Sequence, residues 1–486
     1  MPTSTTPRVV VVGGGIAGLA AAFFLRDQAV RVTVLEGAPR PGGKLTASDI
    51  AGLTVDEGAE ALLARRPEGI ELITAAGLGD DLVPAGVTAS AIYSRGVMRS
   101  LPRRQFMGVP ADLDELAATG IISAGGIARA RAESPRPAAA GDVSVTEYVG
   151  SRLGAEVVDR LVDPLLGGVY AGRSENLSFQ ATLAPLAAAT RAHATLTEAA
   201  ASLLPPAPPA GGAPAGGTAA GAARPAPVFV SLASGIGALP GALVKSAGAD
   251  VRTSAVVREL KRTPDGWRLT VGSAASPEYL DADAVILAIP AAPAARLLKD
   301  VAGQAAARLA EIPYASMGIV TLAFRAQDFP GQRRSGYLVP AVDGRAVKAV
   351  TFSTVKWPHL AARAPVHVVR CSVGRSGDVA VLQRDDEDLA ALAAAELSDA
   401  TGVTAPAVAW RVTRWGGGLP QYNVGHLDRV AAIRAAVGEQ PGLAVAGAAY
   451  DGVGIPACIA TAKSAAGQVA AYLKAARPPG PAAPDR

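Results

Sequence analysis

The feature that most restricts how this 486-residue chain can fold lies near its start, where Gly13, Gly15 and Gly18 stand in the spacing GxGxxG. Val9 to Val12 precede them as a strand, an apolar stretch from about Ile16 to Arg26 follows as a helix, and Val32 to Leu35 reads as a second strand. In such a βαβ unit each glycine has its own reason. The first permits the tight turn, the second lets backbone approach a pyrophosphate, and the third lets helix and strand pack closely. The helix N-terminus, with Gly14, Ile16 and Ala17 around it, then offers amide groups to phosphate charge. Glu36 ends the second strand eighteen positions beyond Gly18, where a carboxylate accepts hydrogen bonds from a ribose diol and repels a 2′-phosphate. Dinucleotide binding follows, with NADP disfavoured and both NAD and FAD open.

The uncharged run Val9 to Leu25 copies a signal-peptide core or short span, but its 17 residues fall short of the about 20 that cross a bilayer. Its three consecutive glycines suit a strand-to-helix turn, so it reads as a folded core segment.

At about 150 residues per domain the length suits roughly three domains, or two large interleaved ones. Half the residues are hydrophobic and 18% are charged, which excludes extensive disorder. Lys plus Arg number 46 against 42 Asp plus Glu, an excess of four spread along the chain, so no basic block argues for nucleic acid. Cys371 and Cys458, and His193, His359, His367 and His426, lie too far apart for a metal-ligand motif or a disulfide scaffold. Buried thiols in a reducing cytosol are expected, and no metal.

Residues 109–203 carry helical patterns, among them Thr146 to Leu166, where Val149, Leu153, Val157, Leu161 and Leu165 recur every fourth position. Pro205 to Pro227, built of Pro, Gly and Ala, reads as a flexible insertion. Strand-like runs follow at Val228 to Leu232, Val251 to Leu260, Trp267 to Val271, Ala284 to Ala288, Gly318 to Phe324 and Val366 to Val373. A helix at about Asp385 to Leu397 opens with four acids, a solvated cap. Leu443 to Ala448, a glycine turn and a helix from Pro456 to Lys474 repeat the opening strand-to-helix pattern, so the first and last blocks read as pieces of one domain.

Two further segments bear on the cofactor: Arg40-Pro41-Gly42-Gly43-Lys44 and Val55-Asp56-Glu57-Gly58-Ala59-Glu60. Adjacent glycines let backbone lie against a large flat ligand, and Lys44 can neutralise phosphate.

With GGGIAGL and PRPGGKL, the stretches DPLLGGVYAG (Asp163 to Gly172), WGGGLPQYNVGH (Trp415 to His426) and GAAYDGVGIPACI (Gly447 to Ile459) make the chain similar to the flavin amine oxidase and protoporphyrinogen oxidase superfamily. LPRR at Leu101 to Arg104 and MGVPADLDELAATG at Met107 to Gly120 resemble the coproporphyrinogen III oxidases of Gram-positive bacteria. The resemblance implies FAD, in contact with Gly13 to Gly18, Glu36, Gly43, Lys44, Gly58, Ala59, Glu60, Ala61, Val256 near the adenine, Trp415 near the flavin, and Val453, Gly454 and Ile455. It implies an α/β fold: a Rossmann-like, discontinuous FAD-binding domain (1–88, 228–303, 419–476), a mixed-sheet α+β substrate domain (89–108, 304–418) and a helical subdomain (109–203). Residues 204–227 become a linker and 477–486 a disordered tail. Departures from the family pattern are Ala59 for a common Pro, Arg173 where an acid often follows YAG, Ser335 where some relatives place an aromatic, and the insertion.

The implied reaction is the six-electron oxidation of a porphyrinogen, with dioxygen as acceptor, hydrogen peroxide as by-product and a ferrochelatase as recipient of the product. A helix starting at Pro456 could aim its amides at the negative charge of reduced flavin near N1 and C2=O. No catalytic residue stands out, which leaves pyrrole protons to solvent. Substrate carboxylates need cations, for which Arg65, Arg66, Arg103, Arg104, Lys348 and Lys356 are candidates, with Tyr170 and Leu338 as pocket walls. His426 equally suits a turn cap. A protoporphyrinogen oxidase, with two propionates fewer to hold, is the next reading. An amine oxidase or carotenoid desaturase would need an aromatic cage or a long apolar tunnel, and aromatics make up 4% of the chain. A non-catalytic flavoprotein would never bleach with substrate. A cytoplasmic enzyme, at most weakly attached to a membrane, is expected.

Overall fold

The computed structural model describes residues 6–206, 227–329 and 331–476. The expected insertion at Pro205 to Pro227, apart from its end residues, and the tail at 477–486 lie outside them.

One sheet is parallel throughout, with its strands in the order Asp250–Arg252, Arg31–Leu35, Arg8–Val12, Ala284–Leu287, Leu443–Val445. Val9 to Val12 of its central strand leave at most 4% of their surface exposed, because both faces are covered. Val9 and Val11 face the helices Ile16–Leu25, Leu239–Ser246 and Ile455–Ala476. Val10 and Val12 face an antiparallel meander, Val257–Thr263, Gly266–Ser273 and Ser276–Ala282, and three helices beside it. This double cover is why the strands read as unbroken apolar runs.

The expected single strand at Val251 to Leu260 is two strands in two sheets. Ser254 takes φ +53°, and the turn it makes hands the chain from the parallel sheet to the meander. The expected helix from Thr146 to Leu166 is also divided. Val145–Leu153 stops at Gly154 (φ +96°), and after a short piece the chain widens to a π-turn at Val158–Val162 before Asp163–Tyr170. The wider turn shifts the phase by one residue. Val149, Leu153, Val157 and Leu161 are fully buried as their spacing requires, but Leu166 takes the core place expected of Leu165.

The second sheet has seven strands, in the order Ala409–Pro420, Tyr314–Arg325, Val366–Val373, Val347–Phe352, Gly336–Leu338, Ser90–Ser94, Val97–Ser100. All pairs are antiparallel except Gly336–Leu338 with Ser90–Ser94. Alternation gives it two unlike faces. Val320, Leu322, Phe324, Val369, Cys371 and Val350 pack on Leu389, Ala393 and Leu397 of the helix Asp386–Thr401. The register Thr321 to Arg370 and Arg411, and Ile319 to Ser372 and Thr413, puts polar side chains together on the other face.

Candidate active site

The glycine turn has the geometry its sequence demands. Gly13 holds φ +104°, which strains any side-chain-bearing residue, and a Cβ on Gly18 would overlap the Gly13 oxygen. A Cβ on Gly15 would meet nothing within 4 Å, so this glycine borders open space where a ligand backbone can lie. Glu36 receives Gly14 N at 2.7 Å on one oxygen and Ala38 N at 2.7 Å on the other, which fixes the carboxylate while leaving each oxygen a lone pair for a ribose hydroxyl. Val256 lies beside Gly37, its methyl 3.4 Å from where a Cβ there would stand, and is 48% exposed.

The second glycine segment docks onto the first: Gly42 N donates to Gly14 O at 2.8 Å, and Gly15 bridges Gly42. Lys44 follows, half-buried, with no hydrogen bond or ion pair among the described residues. Burial pushes its ammonium below the usual lysine range, and the neighbouring Cys458 thiol pulls the other way. A desolvated cation without a counter-ion fits an anionic or polarised ligand group. A Cβ on Gly58 would overlap the Lys44 oxygen and crowd the Trp415 ring, and Trp415 Nε1 donates to Glu57 O at 3.2 Å.

Glu60, expected at the cofactor, and Lys356, expected at the substrate, form an ion pair with each other. Lys356 Nζ lies 2.6 Å from Glu60 Oε1, and Arg370 holds Glu60 Oε2 while donating to Gly58 O at 2.5 Å. Burial would raise the Glu60 carboxyl, but the Lys356 and Arg370 cations outweigh it and leave it at about 2. The triad braces the Gly58 to Ala61 segment from the polar face of the seven-stranded sheet. Beside it Asp56 accepts Ile236 N at 3.1 Å and Gly237 N at 2.8 Å, and burial, against those N–H groups and Arg370, sets its carboxyl at about 6.

The helix Ile455–Ala476 begins one residue before the expected Pro456, with Val453 and Gly454 ahead of it. Gly452 N donates to Tyr422 Oη at 2.7 Å, and Tyr422 leans on Tyr170 at 5.5 Å. Tyr170, Leu338 and Val453 thus join one apolar cluster where the helical part, the seven-stranded sheet and the cofactor turns meet. Burial pushes the Tyr170 hydroxyl up to about 12, so it stays neutral. His426 is buried, stacks on Tyr422 at 3.8 Å and lies 3.1 Å from Tyr450 O. Burial lowers it to about 4, so it is a neutral packing residue.

Of the other expected cations, Lys348 donates to Ser372 Oγ at 2.7 Å on the polar face, whereas the four arginines are placed apart from this centre. Arg66 pairs with Glu68 at 2.9 Å, and Arg65 beside it is exposed. Arg103 pairs with Glu115 with its side chain 94% exposed, and Arg104 donates to Pro205 O. Their local partners explain their positions, and none reaches the polar face. Sequence reasoning missed Arg370, Ser372, Thr413 and Arg411, which share that face, because the signal is only alternation within three separate strands.

The turns, the ribose acceptor, the open Gly15 edge and the unpartnered Lys44 fit FAD. A family model described as flavin containing amine oxidoreductase matches residues 16–470. The chain is 38% identical over 480 residues to a coproporphyrinogen III oxidase of Mycobacterium tuberculosis, covering 97% of this chain and 99% of that one. It is 29% identical over 476 residues to one of Bacillus subtilis, covering 96% and 98%. A solved structure from Exiguobacterium sp. 255-15, designated a protoporphyrinogen oxidase, matches with TM-score 0.83 at 29% identity, over 96% of this chain and 100% of that one. A cyclohexylamine oxidase from Brevibacterium oxydans shares the fold, with TM-score 0.69 at 16% identity over 97% of this chain and 100% of that one. The chain is an FAD-dependent oxidoreductase that belongs to the flavin containing amine oxidoreductase family.

Proposed function

We propose that this enzyme oxidises coproporphyrinogen III to coproporphyrin III, passing six electrons in three two-electron steps to three molecules of dioxygen, which leave as hydrogen peroxide. The observation that carries this reading is the full-length likeness to relatives of that name, 38% over 97% of the chain.

When bound, FAD supplies a two-electron acceptor for hydride from a saturated bridge carbon. The chain's part is to hold and shield. The Gly13 to Gly18 turn and Glu36 would hold the dinucleotide, Lys44 would offer it a positive charge, and Glu60 with Lys356 and Arg370 keeps the Gly58 to Ala61 segment rigid. Tyr170, Leu338 and Val453 give a flat apolar substrate a wall. Asp56 is the carboxyl here with an acid constant near neutrality, but two backbone N–H groups occupy it, so pyrrole protons leave to water.

The labour divides accordingly: residues 1–88, 228–303 and 419–476 hold the cofactor, while 89–108, 304–418 and the helical 109–203 enclose the substrate. Among the described residues no helix is long and apolar enough to cross a membrane. Two buried free thiols, Cys371 and Cys458, support a reducing cytoplasmic setting, and a ferrochelatase would receive the product.

The test is aerobic turnover of FAD-loaded protein with coproporphyrinogen III and protoporphyrinogen IX side by side, followed by porphyrin fluorescence against an enzyme-free control. Faster oxidation of the tetracarboxylate is expected. Oxidation of neither sinks the reading and turns attention to amines and polyenes.

A further inference from the structure

Beyond the end of Asp163–Tyr170, the chain turns at Ala171, a non-glycine residue at φ +49°, and presents Arg173. Ser376 N donates to Ala171 O at 2.7 Å, which docks the loop after the strand Val366–Val373 onto this turn and brings Arg375 alongside. Arg375 is 6% exposed and donates to Arg345 O at 3.0 Å and Val339 O at 3.1 Å. Lys348, the extra residue of a β-bulge between Val347 and Ala349, is 3% exposed and donates to Ser372 Oγ at 2.7 Å and Val373 O at 3.1 Å.

Each of the two buried cations is satisfied by neutral acceptors, and none of the three makes an ion pair among the described residues. The acids within electrostatic reach of Arg375 are Asp163, Asp378 and Glu396. Asp163 is held by Ser174 N and Oγ, and Glu396 by Ala346 N and Val347 N. Asp378 stands in solvent. Burial and the Arg375 cation lower Lys348 to about 7, so the guanidiniums carry the lasting charge; Arg173, half-buried and without an ion pair among the described residues, is the one left to meet an incoming carboxylate.

The cluster also lies at a useful distance. Arg370, which braces the cofactor segment, and Ser372 point to the same face, and five residues of extended chain separate Arg370 from Arg375, about 16 Å at most. The intervening face is walled by Leu338, which a Cβ on Gly168 would touch at 3.4 Å. Gly168 and Val169 are themselves exposed there.

We propose that Arg173, backed by Arg375 and Lys348, receives one of the two propionates that coproporphyrinogen carries and protoporphyrinogen lacks, at the end of the polar sheet face remote from the cofactor turns. The inference rests on the porphyrinogen reading above. It makes Arg173 a specificity residue that favours a substrate with more carboxylates.

The experiment compares wild type, Arg173→Gln and Arg173→Lys holoenzymes with both porphyrinogens, and measures binding of coproporphyrin III and its tetramethyl ester by fluorescence quenching. Arg173→Gln should raise KM for coproporphyrinogen about tenfold, the loss of one charge-assisted hydrogen bond. KM for protoporphyrinogen, ester binding, the flavin spectrum and Tm should stay put, and Arg173→Lys should recover part of the loss. Lys348→Met should give a smaller rise in the same direction. An unchanged KM in Arg173→Gln, or an equal rise for acid and ester accompanied by a fall in Tm, overturns the assignment while leaving the function intact. A wild type that turns over neither porphyrinogen fails at the earlier step.

Discussion

The two main sheets solve the same packing problem in opposite ways. The parallel sheet buries both faces, so chemistry is left only at its edge, where strands end in glycine turns. The seven-stranded sheet buries one face on the helix Asp386–Thr401 and keeps the other polar. A site at a sheet edge is a local matter, written in a dozen consecutive residues. A site on a sheet face is written in every second residue of strands far apart in the chain. The first tolerates almost no change at single positions, whereas the second spreads its burden.

Gly18→Val should break the edge site outright. A side chain there collides with the Gly13 backbone, and flavin absorbance per purified protein should fall more than tenfold. Gly15→Ala is the sharper partner experiment: with open space around it, the apoprotein should keep its Tm while FAD affinity drops.

On the face site, Glu60→Gln leaves Lys356 and Arg370 buried together without their carboxylate. A loss of about 4 kcal/mol is expected in denaturant unfolding. On the apolar side of the same sheet, Leu322→Ala should cost about 3 kcal/mol by leaving a cavity, with KM unchanged. Ser372→Ala, on the polar side, should do the reverse and move KM more than stability. Equal behaviour of these two variants would erase the distinction between the faces.

How much of this could be read from the sequence follows the same division. GxGxxG with Glu36 is contiguous, and its chemistry was legible because each glycine answers to a backbone constraint. Even there, reading Glu60 as a cofactor contact missed its partners, which arrive from Lys356 and Arg370 about three hundred positions away. The expected cations Arg103 and Arg104 stand next to a motif, yet the Arg103 guanidinium pairs with Glu115 on the next helix and that of Arg104 turns to the Pro205 oxygen. Charge in a sequence does not say which neighbour neutralises it. The split of Thr146 to Leu166 was hidden for another reason: a π-turn preserves the apolar content and changes only its phase.

A pH titration tests the junction between the two sites. His426 is held neutral, its folded value about 4 against the usual 6.5. Between these values the unfolded chain binds a proton that the native state refuses, so stability should fall as pH drops from about 6.5 toward 4, by no more than about 3 kcal/mol. His426→Gln should flatten that slope. The smallest effect belongs to Arg103→Gln, whose partner lies in solvent reach. Stability should shift by less than about 0.5 kcal/mol and KM not at all.

The parallel sheet is also assembled out of order. Arg31–Leu35 pairs with Asp250–Arg252, and Ala284–Leu287 waits for Leu443–Val445. A chain leaving the ribosome displays the glycine turn first, and the strand and helix that close the cradle, Leu443–Val445 and Ile455–Ala476, follow more than four hundred residues later. Until then the apolar surface of Ile16–Leu25, which the terminal helix covers, stands open. FAD loading is therefore a late event in the life of each molecule, and the unfinished chain is the stage most exposed to aggregation or to a chaperone.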